Sequence, residues 1–269
     1  MSILIFFAIG LAAGVLGGLL GIGGSIVIIP ALTILYGENQ HLYQASAMIC
    51  NFFVSAAAII AHWKAESFDK TVLKWMVPLA VLGIWGGVAL SNCTIFAAEN
   101  SYLLARVFGA FLIYVAVYNI RHLYLHWRGK NITLHGPPVA SMAHLVLSGF
   151  CGAVTGLAAG LLGIGAGTIA TPLQQLLLRM PLCKAMSNSA GIIVAIAWLG
   201  AIYKNLTLAQ HGLHWSSSLH IAIFVIPGSI AGGYIGGHLM HLLPRNLVRF
   251  VFILVCALAA VKLLTVCPA

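Results

Sequence analysis

Residues 14–30 read GVLGGLLGIGGSIVIIP, and residues 156–172 read GLAAGLLGIGAGTIATP. Both stretches carry the run GLLGIG inside a long apolar segment, and they end on Pro30 and Pro172. A dense glycine run followed by a proline favours the end of one helix and the start of another. The sequence therefore predicts the same broken helix twice.

Further matches follow in the same order along the chain and extend the repeat beyond these two stretches. They are Trp75 with Trp215, Pro78 with Pro227, Gly83 with Gly232, Gly87 with Gly236, and Arg106 with Arg249. Chance does not readily produce this order over two halves. We interpret the chain as a duplicated unit.

The composition predicts an all-α polytopic membrane protein. Of the 269 residues, 61% are hydrophobic and 6% are charged, whereas about a quarter of a soluble domain is charged. Backbone groups inside a bilayer are satisfied within helices. Ten helical segments follow: a broken stretch at about 3–36, spans near 42–63, 72–91 and 102–124, a broken stretch at about 139–179, and spans near 183–203, 217–242 and 246–266. We divide the chain into a first repeat (1–124), a cytoplasmic linker (125–138) and a second repeat (139–269).

The basic residues predict how the halves are oriented. The net charge is +9, and the basic residues lie in short loops beside apolar runs, which is typical of cytoplasmic loops and not of a nucleic-acid surface. Placing the basic turns in the cytoplasm makes equivalent loops face opposite sides. The halves are then inverted repeats with both termini outside, and Lys204, Lys262 and Arg106 are the exceptions.

The two glycine breaks indicate an anion site. A helix that starts at a break directs free N–H groups and a partial positive charge into it, and irregular backbone at membrane depth lines a cavity or is buried in protein. Glycines outside the breaks, such as Gly14 with Gly18, are typical of close helix packing. The candidate substrate-binding residues at the breaks are Gly23, Gly24, Ser25, Gly165, Gly167 and Thr168.

Polar residues on the span after each break are further candidates. Ser46 and Asn51 follow the first break, and Ser187 and Asn188 follow the second. Their hydroxyl and amide groups can complete the coordination of an oxyanion. Hydrogen bonding between helices is an equally good interpretation for each of them.

The remaining ionisable residues do not suggest a cation or metal site. The four acidic residues, Glu38, Glu66, Asp69 and Glu99, fall in predicted loops or at loop edges, so no mid-span carboxylate marks a cation pathway. No histidine or cysteine spacing is typical of a metal site, and we predict neither a metal nor a cofactor. Among the histidines, His144 and His238 are the better candidates for a proton relay.

The repeated GxxxGLLGIG motif, each copy followed by a proline, resembles the sulfite exporter TauE/SafE family of bacterial membrane proteins. The Pro-x4-Gly-x3-Gly helix of each half, Pro78 to Gly87 and Pro227 to Gly236, resembles it too. The resemblance covers nearly the whole chain. It implies transport of a sulfur-containing anion, such as sulfite or a related organosulfur compound, across the bacterial inner membrane.

The leading hypothesis is a secondary transporter that works by alternating access of the two repeats, with a small anion and the lipid bilayer as its partners. A homo-oligomer is left open, and no P-loop indicates coupling to ATP. An anion channel is an alternative. An intramembrane enzyme with Ser25 as its nucleophile is disfavoured, because the sequence lacks a GxSxG elbow and an acid to orient a histidine.

Overall fold

The structure, a computed structural model, describes residues 2–37, 39–64, 68–93, 101–127, 142–163 and 165–265. All regular structure within these ranges is helical. The helices are α1 (Ser2–Leu20), α2 (Ser25–Tyr36), α3 (Gln40–Lys64), α4 (Lys70–Ser91), α5 (Ser101–Trp127), α6 (Met142–Leu162), α7 (Gly167–Leu177), α8 (Leu182–Thr207), a short 3₁₀ helix (Leu208–His211), α9 (Trp215–Leu242) and α10 (Arg245–Leu264). This confirms the predicted all-α membrane architecture, while most of the predicted linker lies outside the described residues.

The two arms of each broken stretch differ in length. The first arms, α1 and α6, have 19 and 21 residues, whereas the second arms, α2 and α7, have 12 and 11. A span of hydrocarbon about 30 Å thick needs about 20 residues, and a 12-residue helix is only about 18 Å long. Each stretch is therefore a full-length helix followed by a half-length one.

Six helices are long and apolar enough to cross a membrane within the described ranges: α1, α3, α4, α6, α8 and α9. Four of them are single spans that the sequence predicts. The other two, α1 and α6, are the first arms of the broken stretches. The predicted spans near 102–124 and 246–266 form α5 and α10.

The first broken stretch is a hairpin whose two ends lie together. The ring of Phe6, near the start of α1, stacks on the ring of Tyr36, at the end of α2, with centroids 5.5 Å apart. The stretch therefore starts and ends at the same end of the helix bundle.

Each full-length arm packs on a helix of the other half through glycines. A Cβ on Gly14 of α1 would lie 2.6 Å from the Ser229 carbonyl oxygen of α9, and one on Gly156 of α6 would lie 2.1 Å from the Ala80 carbonyl oxygen of α4. Such distances leave no room for a side chain, which is the usual reason for small residues between membrane helices. The halves are thus interlocked, because α1 contacts α9 and α6 contacts α4.

The outer surface of the bundle is apolar. Large side chains such as Leu4, Leu82 and Ile223 are exposed on it. A soluble monomer rarely exposes extensive apolar surface, so this surface fits contact with lipid.

Candidate functional site

The two glycine breaks have the backbone geometry that only glycine adopts readily. Gly21 and Gly23 have φ angles of 61° and 78°, and Gly163 has a φ of 66°. Positive φ is strained for residues with a Cβ. The breaks are therefore encoded by the glycine runs themselves.

The two breaks lie directly against each other in the middle of the fold. A Cβ on Gly165 would lie 2.4 Å from the Ile22 carbonyl oxygen, and one on Gly167 would lie 2.0 Å from the Gly21 carbonyl oxygen. We call this backbone-to-backbone contact of residues 21–24 with residues 163 and 165–167 the glycine junction. It brings the six predicted break residues into one region.

Contacts with α3 and α8 flank the glycine junction in a reciprocal way. A Cβ on Gly21 would lie 2.3 Å from the Met186 carbonyl oxygen of α8, and one on Gly163 would lie 2.5 Å from Cγ of Gln44 on α3. Gly21 and Gly163 occupy the same position in the two GLLGIG runs. Met186 and Gln44 are therefore equivalent positions of the two repeats.

At the first break, a side chain occupies the amide groups that were expected to face a ligand. The backbone N–H groups of Gly24 and Ser25 donate to Oδ1 of Asn51, at 2.7 and 3.0 Å. The Asn51 amide nitrogen donates in turn to the Ser25 hydroxyl. Ser25 is fully buried and Asn51 is 1% exposed. The predicted residues do meet here, but Asn51 caps α2 from within the protein.

At the second break, the residue that precedes α7 is Ala166, which has no polar side chain to cap the helix. The Thr168 hydroxyl donates to the Gly165 carbonyl oxygen at 3.3 Å, and Gly167 and Thr168 border a small cavity. The cavity has a volume of about 30 Å³, which is room for about two waters, since one needs about 10–15 Å³ by this measure.

The walls of this cavity come from α5, α7 and the glycine junction. Its polar lining consists of Tyr118, Asn119, Thr168, Thr171 and Gln175, and its apolar lining includes Leu20, Ile22 and Met186. Thr171 and Gln175 follow Thr168 by three and seven residues along α7. This spacing places all three on one face of the helix. The cavity therefore offers hydroxyl and amide groups beside a helix N-terminus.

Three other predicted site residues lie away from the cavity lining. Asn188 donates to Oε1 of Gln174 at 3.2 Å and accepts from the Asp69 backbone N–H at 2.8 Å. Ser46 donates to the Leu42 carbonyl oxygen on its own helix at 2.9 Å, and Ser187 is fully buried on α8. The contacts of Asn188 and Ser46 favour hydrogen bonding within and between helices over coordination of a ligand at the junction.

Tyr118, Asn119, Thr171 and Gln175 are lining residues that the sequence analysis did not single out. The spacing of the two α7 residues from Thr168 could have identified them. The contribution of α5 could not be identified, because nothing in its sequence indicates which helix it faces.

No group of three or more His, Cys, Asp or Glu side chains in the described ranges could hold a metal ion. His238 is a predicted relay candidate. Its Nδ1 lies 3.1 Å from the carbonyl oxygen of Tyr234 on its own helix. His144 is buried within α6.

A bundle of spanning helices, with paired half-length helices meeting at its centre, defines the class of this protein as a polytopic membrane protein with an internal polar site. The chain matches the family described as sulfite exporter TauE/SafE over residues 6–263. It therefore belongs to this family of membrane transporters, as the repeated glycine motif predicted.

Relatives of the chain are named as membrane transporters. It is 26% identical to the probable membrane transporter protein MamO of Paramagnetospirillum magneticum, over 95% of this chain and 43% of that protein. It is 26% identical to the probable membrane transporter protein YjnA of Bacillus subtilis, over 95% of this chain and 97% of that protein. Sulfite exporter TauE/SafE family protein 3 of Arabidopsis thaliana is 23% identical over 43% of this chain and 24% of its own length.

The chain spans less than half the length of MamO, so what the whole of that relative does is not transferred to it. No solved structure matches the chain.

Proposed function

We propose that this protein is a secondary transporter that moves a small sulfur-containing anion, sulfite or a related organosulfur anion, across the bacterial inner membrane. The observation that carries the proposal is the cavity with hydroxyl and amide groups at the start of α7. The family supports transport, and the chemistry of the cavity supports an anion.

The start of α7 favours negative charge in the cavity. The first N–H groups of a helix have no partner within the helix, and the helix dipole adds a partial positive charge of about half an elementary charge. The Thr168 hydroxyl, when it turns from the Gly165 carbonyl oxygen towards the cavity, adds a donor, as do Thr171 and Gln175, and no carboxylate is among the lining residues. An oxyanion can accept from all of these groups, whereas a cation would face positive partial charges.

The proposed site is asymmetric, in contrast to the symmetric cradle that the sequence suggests. At the first break the amide oxygen of Asn51 accepts from two backbone N–H groups, which is the arrangement an anion oxygen would adopt. We assign Asn51 the role of an internal cap that holds the first break closed. The anion then binds at the second break alone.

Alternating access is supported by the way the halves interlock. The α1–α2 hairpin packs on α9 of the other half, and α6–α7 packs on α4. A rocking motion of one group against the other would change which side of the glycine junction is open. Inverted repeats make the two groups equivalent, so both openings would cost similar free energy.

An enzyme is disfavoured by the surroundings of Ser25. Its hydroxyl accepts from the Asn51 amide, which cannot serve as the general base that a serine nucleophile needs. A channel differs from a carrier in its kinetics. A carrier shows counterflow, in which unlabelled substrate on one side accelerates entry of labelled substrate from the other, whereas a channel does not.

The binding site is tested with purified protein and a set of anions: sulfite, sulfate, thiosulfate, sulfoacetate and chloride. A ligand that binds only the folded state raises the unfolding free energy by about 2.7 kcal/mol at 100 times its Kd. We expect a sulfur oxyanion to raise the unfolding temperature selectively. Thr168→Val, which removes the hydroxyl but keeps the shape, should weaken this effect.

Thr33→Val is the matched control. Thr33 lies on α2, is buried, and donates to the Ile29 carbonyl oxygen of its own helix. It should leave the anion effect unchanged. Stabilisation by no anion, or equal stabilisation of the Thr168→Val variant, would contradict the proposed site.

A further inference from the structure

Lys204, which departs from the charge pattern of the loops, is fully buried in the last turn of α8. Its Nζ lies 2.9 Å from Nδ1 of His41 on α3, 2.8 Å from the Ser91 hydroxyl at the end of α4, and 3.2 Å from Oδ1 of Asn92. Residues from both halves therefore surround one amino group. We call Lys204, His41, Ser91, Asn92 and His211 the Lys204 cluster.

No carboxylate of the described residues pairs with Lys204. Asp69, the one acidic residue in that part of the chain, caps the start of α4, and Ser91 is at the end of this 22-residue helix, about 33 Å away. A buried charge without an ionic partner is costly, and ionisable groups inside a membrane commonly serve a function.

The hydrogen-bond directions in the cluster leave one proton free to move. The Ser91 hydroxyl donates to the Val88 carbonyl oxygen at 2.9 Å, so it can only accept from Nζ, and Oδ1 of Asn92 is an acceptor as well. These two contacts use two N–H groups. The third contact, with Nδ1 of His41, is satisfied either by an ammonium donating to the imidazole or by an imidazole N–H donating to a neutral amine.

All three hydrogen bonds of Nζ are therefore kept when the cluster gains or loses a proton. This property is unusual for a buried group, because a change in charge normally leaves a donor or an acceptor without a partner. A purely structural ammonium would not need an imidazole at its third contact.

His211 continues the cluster towards the end of the bundle. Its ring stacks on that of His41, with centroids 3.7 Å apart and planes 14° apart. Its Nε2 lies 3.1 Å from Oδ1 of Asn92, and its Nδ1 is buried with no hydrogen-bond partner among the described residues. His211 lies beyond the end of α8, on the 3₁₀ helix, so it extends the chain of titratable groups outward.

We propose that His41, Lys204 and His211 form a proton-binding site and that H⁺ is the ion coupled to transport. The coupling of H⁺ to transport rests on the proposed function, whereas the binding of a proton does not. Within the described residues, the titratable groups come from α3, α8 and the 3₁₀ helix, and the end of α4 contributes the neutral Ser91 and Asn92. Because α3 and α4 belong to one half and α8 to the other, the charge of the site acts on the contact between the halves.

The proton site is tested first without any anion, by titrating purified protein between about pH 5 and pH 9. Lys204→Arg keeps the positive charge and the donors, but a guanidinium does not release its proton. We expect the wild type to take up one proton more than this variant over the range. Lys184→Arg, at an exposed position near the start of the same helix, should titrate like the wild type.

Identical curves for the wild type and Lys204→Arg would overturn the proposal. If Lys204→Arg does not fold, the double variant His41→Gln, Lys204→Gln serves in its place, because its two amides can hydrogen-bond to each other but cannot take up a proton. This variant should take up one proton fewer than the wild type, and an equal uptake overturns the proposal.

The coupling is tested in proteoliposomes. A pH difference of one unit supports about tenfold accumulation of a monovalent anion that moves with one proton. We expect the wild type to accumulate the anion and Lys204→Arg to lose accumulation but retain counterflow at equal pH. Accumulation by Lys204→Arg equal to the wild type would overturn proton coupling. Absence of counterflow in the wild type would instead contradict the proposed function, and the titration would still decide the proton site.

Discussion

Single residues determine how each glycine break is closed. Asn51 accepts from two backbone N–H groups at the start of α2, whereas Gly167 and Thr168 at the start of α7 border a cavity. The two copies of the motif have therefore diverged. The first stabilises the fold, and the second leaves donors available beside a cavity.

Replacing Asn51 by Ala should lower the free energy of unfolding by about 1–3 kcal/mol, because two buried N–H groups lose their acceptor. Chemical or thermal unfolding of the detergent-solubilised protein measures the effect. Ser46→Ala on the same helix is the control, since Ser46 donates to the carbonyl oxygen of Leu42 and its removal leaves no donor unpaired. A loss no larger for Asn51→Ala than for Ser46→Ala would show that Asn51 is not a significant cap.

At the scale of elements, the halves are held together by glycine faces between α1 and α9 and between α4 and α6. Gly156→Ala places a Cβ 2.1 Å from the Ala80 carbonyl oxygen, so α4 and α6 must separate. Overpacking of this kind typically costs about 1–3 kcal/mol. We expect a lower unfolding temperature for this variant.

Gly86→Ala is the matched control on α4, because nothing lies within 4 Å of a Cβ at that position. It should be neutral or stabilising, since alanine is favoured over glycine in a helix by about 1 kcal/mol. Equal destabilisation by the two substitutions would mean that the loss reflects the helix itself and not the contact between halves.

The elements themselves could largely be predicted from the sequence, because long apolar runs and glycine–proline breaks have direct signals. Their pairing could not be predicted. In a membrane helix most faces are apolar, so periodicity does not show that α1 packs on α9 or that Asn51 faces the first break. The environment of Lys204 was missed for the same reason, since its partners come from distant parts of the chain.

At the scale of the whole molecule, the inverted-repeat topology makes a prediction about the two ends of α4. Cys93, just after α4, is exposed and, kept as the single cysteine, should react with a membrane-impermeant maleimide added outside intact cells. Lys70→Cys in a background without the native cysteines should react only after permeabilisation, because Lys70 begins α4 on the predicted cytoplasmic side. Labelling of both positions from outside would contradict the topology.

The claim on which the whole account depends is that this protein carries an anion bound beside the start of α7. Its most direct test is counterflow of radiolabelled sulfite into proteoliposomes preloaded with unlabelled sulfite, compared with vesicles preloaded with chloride. The account predicts faster uptake into sulfite-loaded vesicles, a strong reduction by Thr168→Val, and no change by Thr33→Val. Equal uptake under both loadings, or counterflow that is insensitive to Thr168→Val, would contradict it.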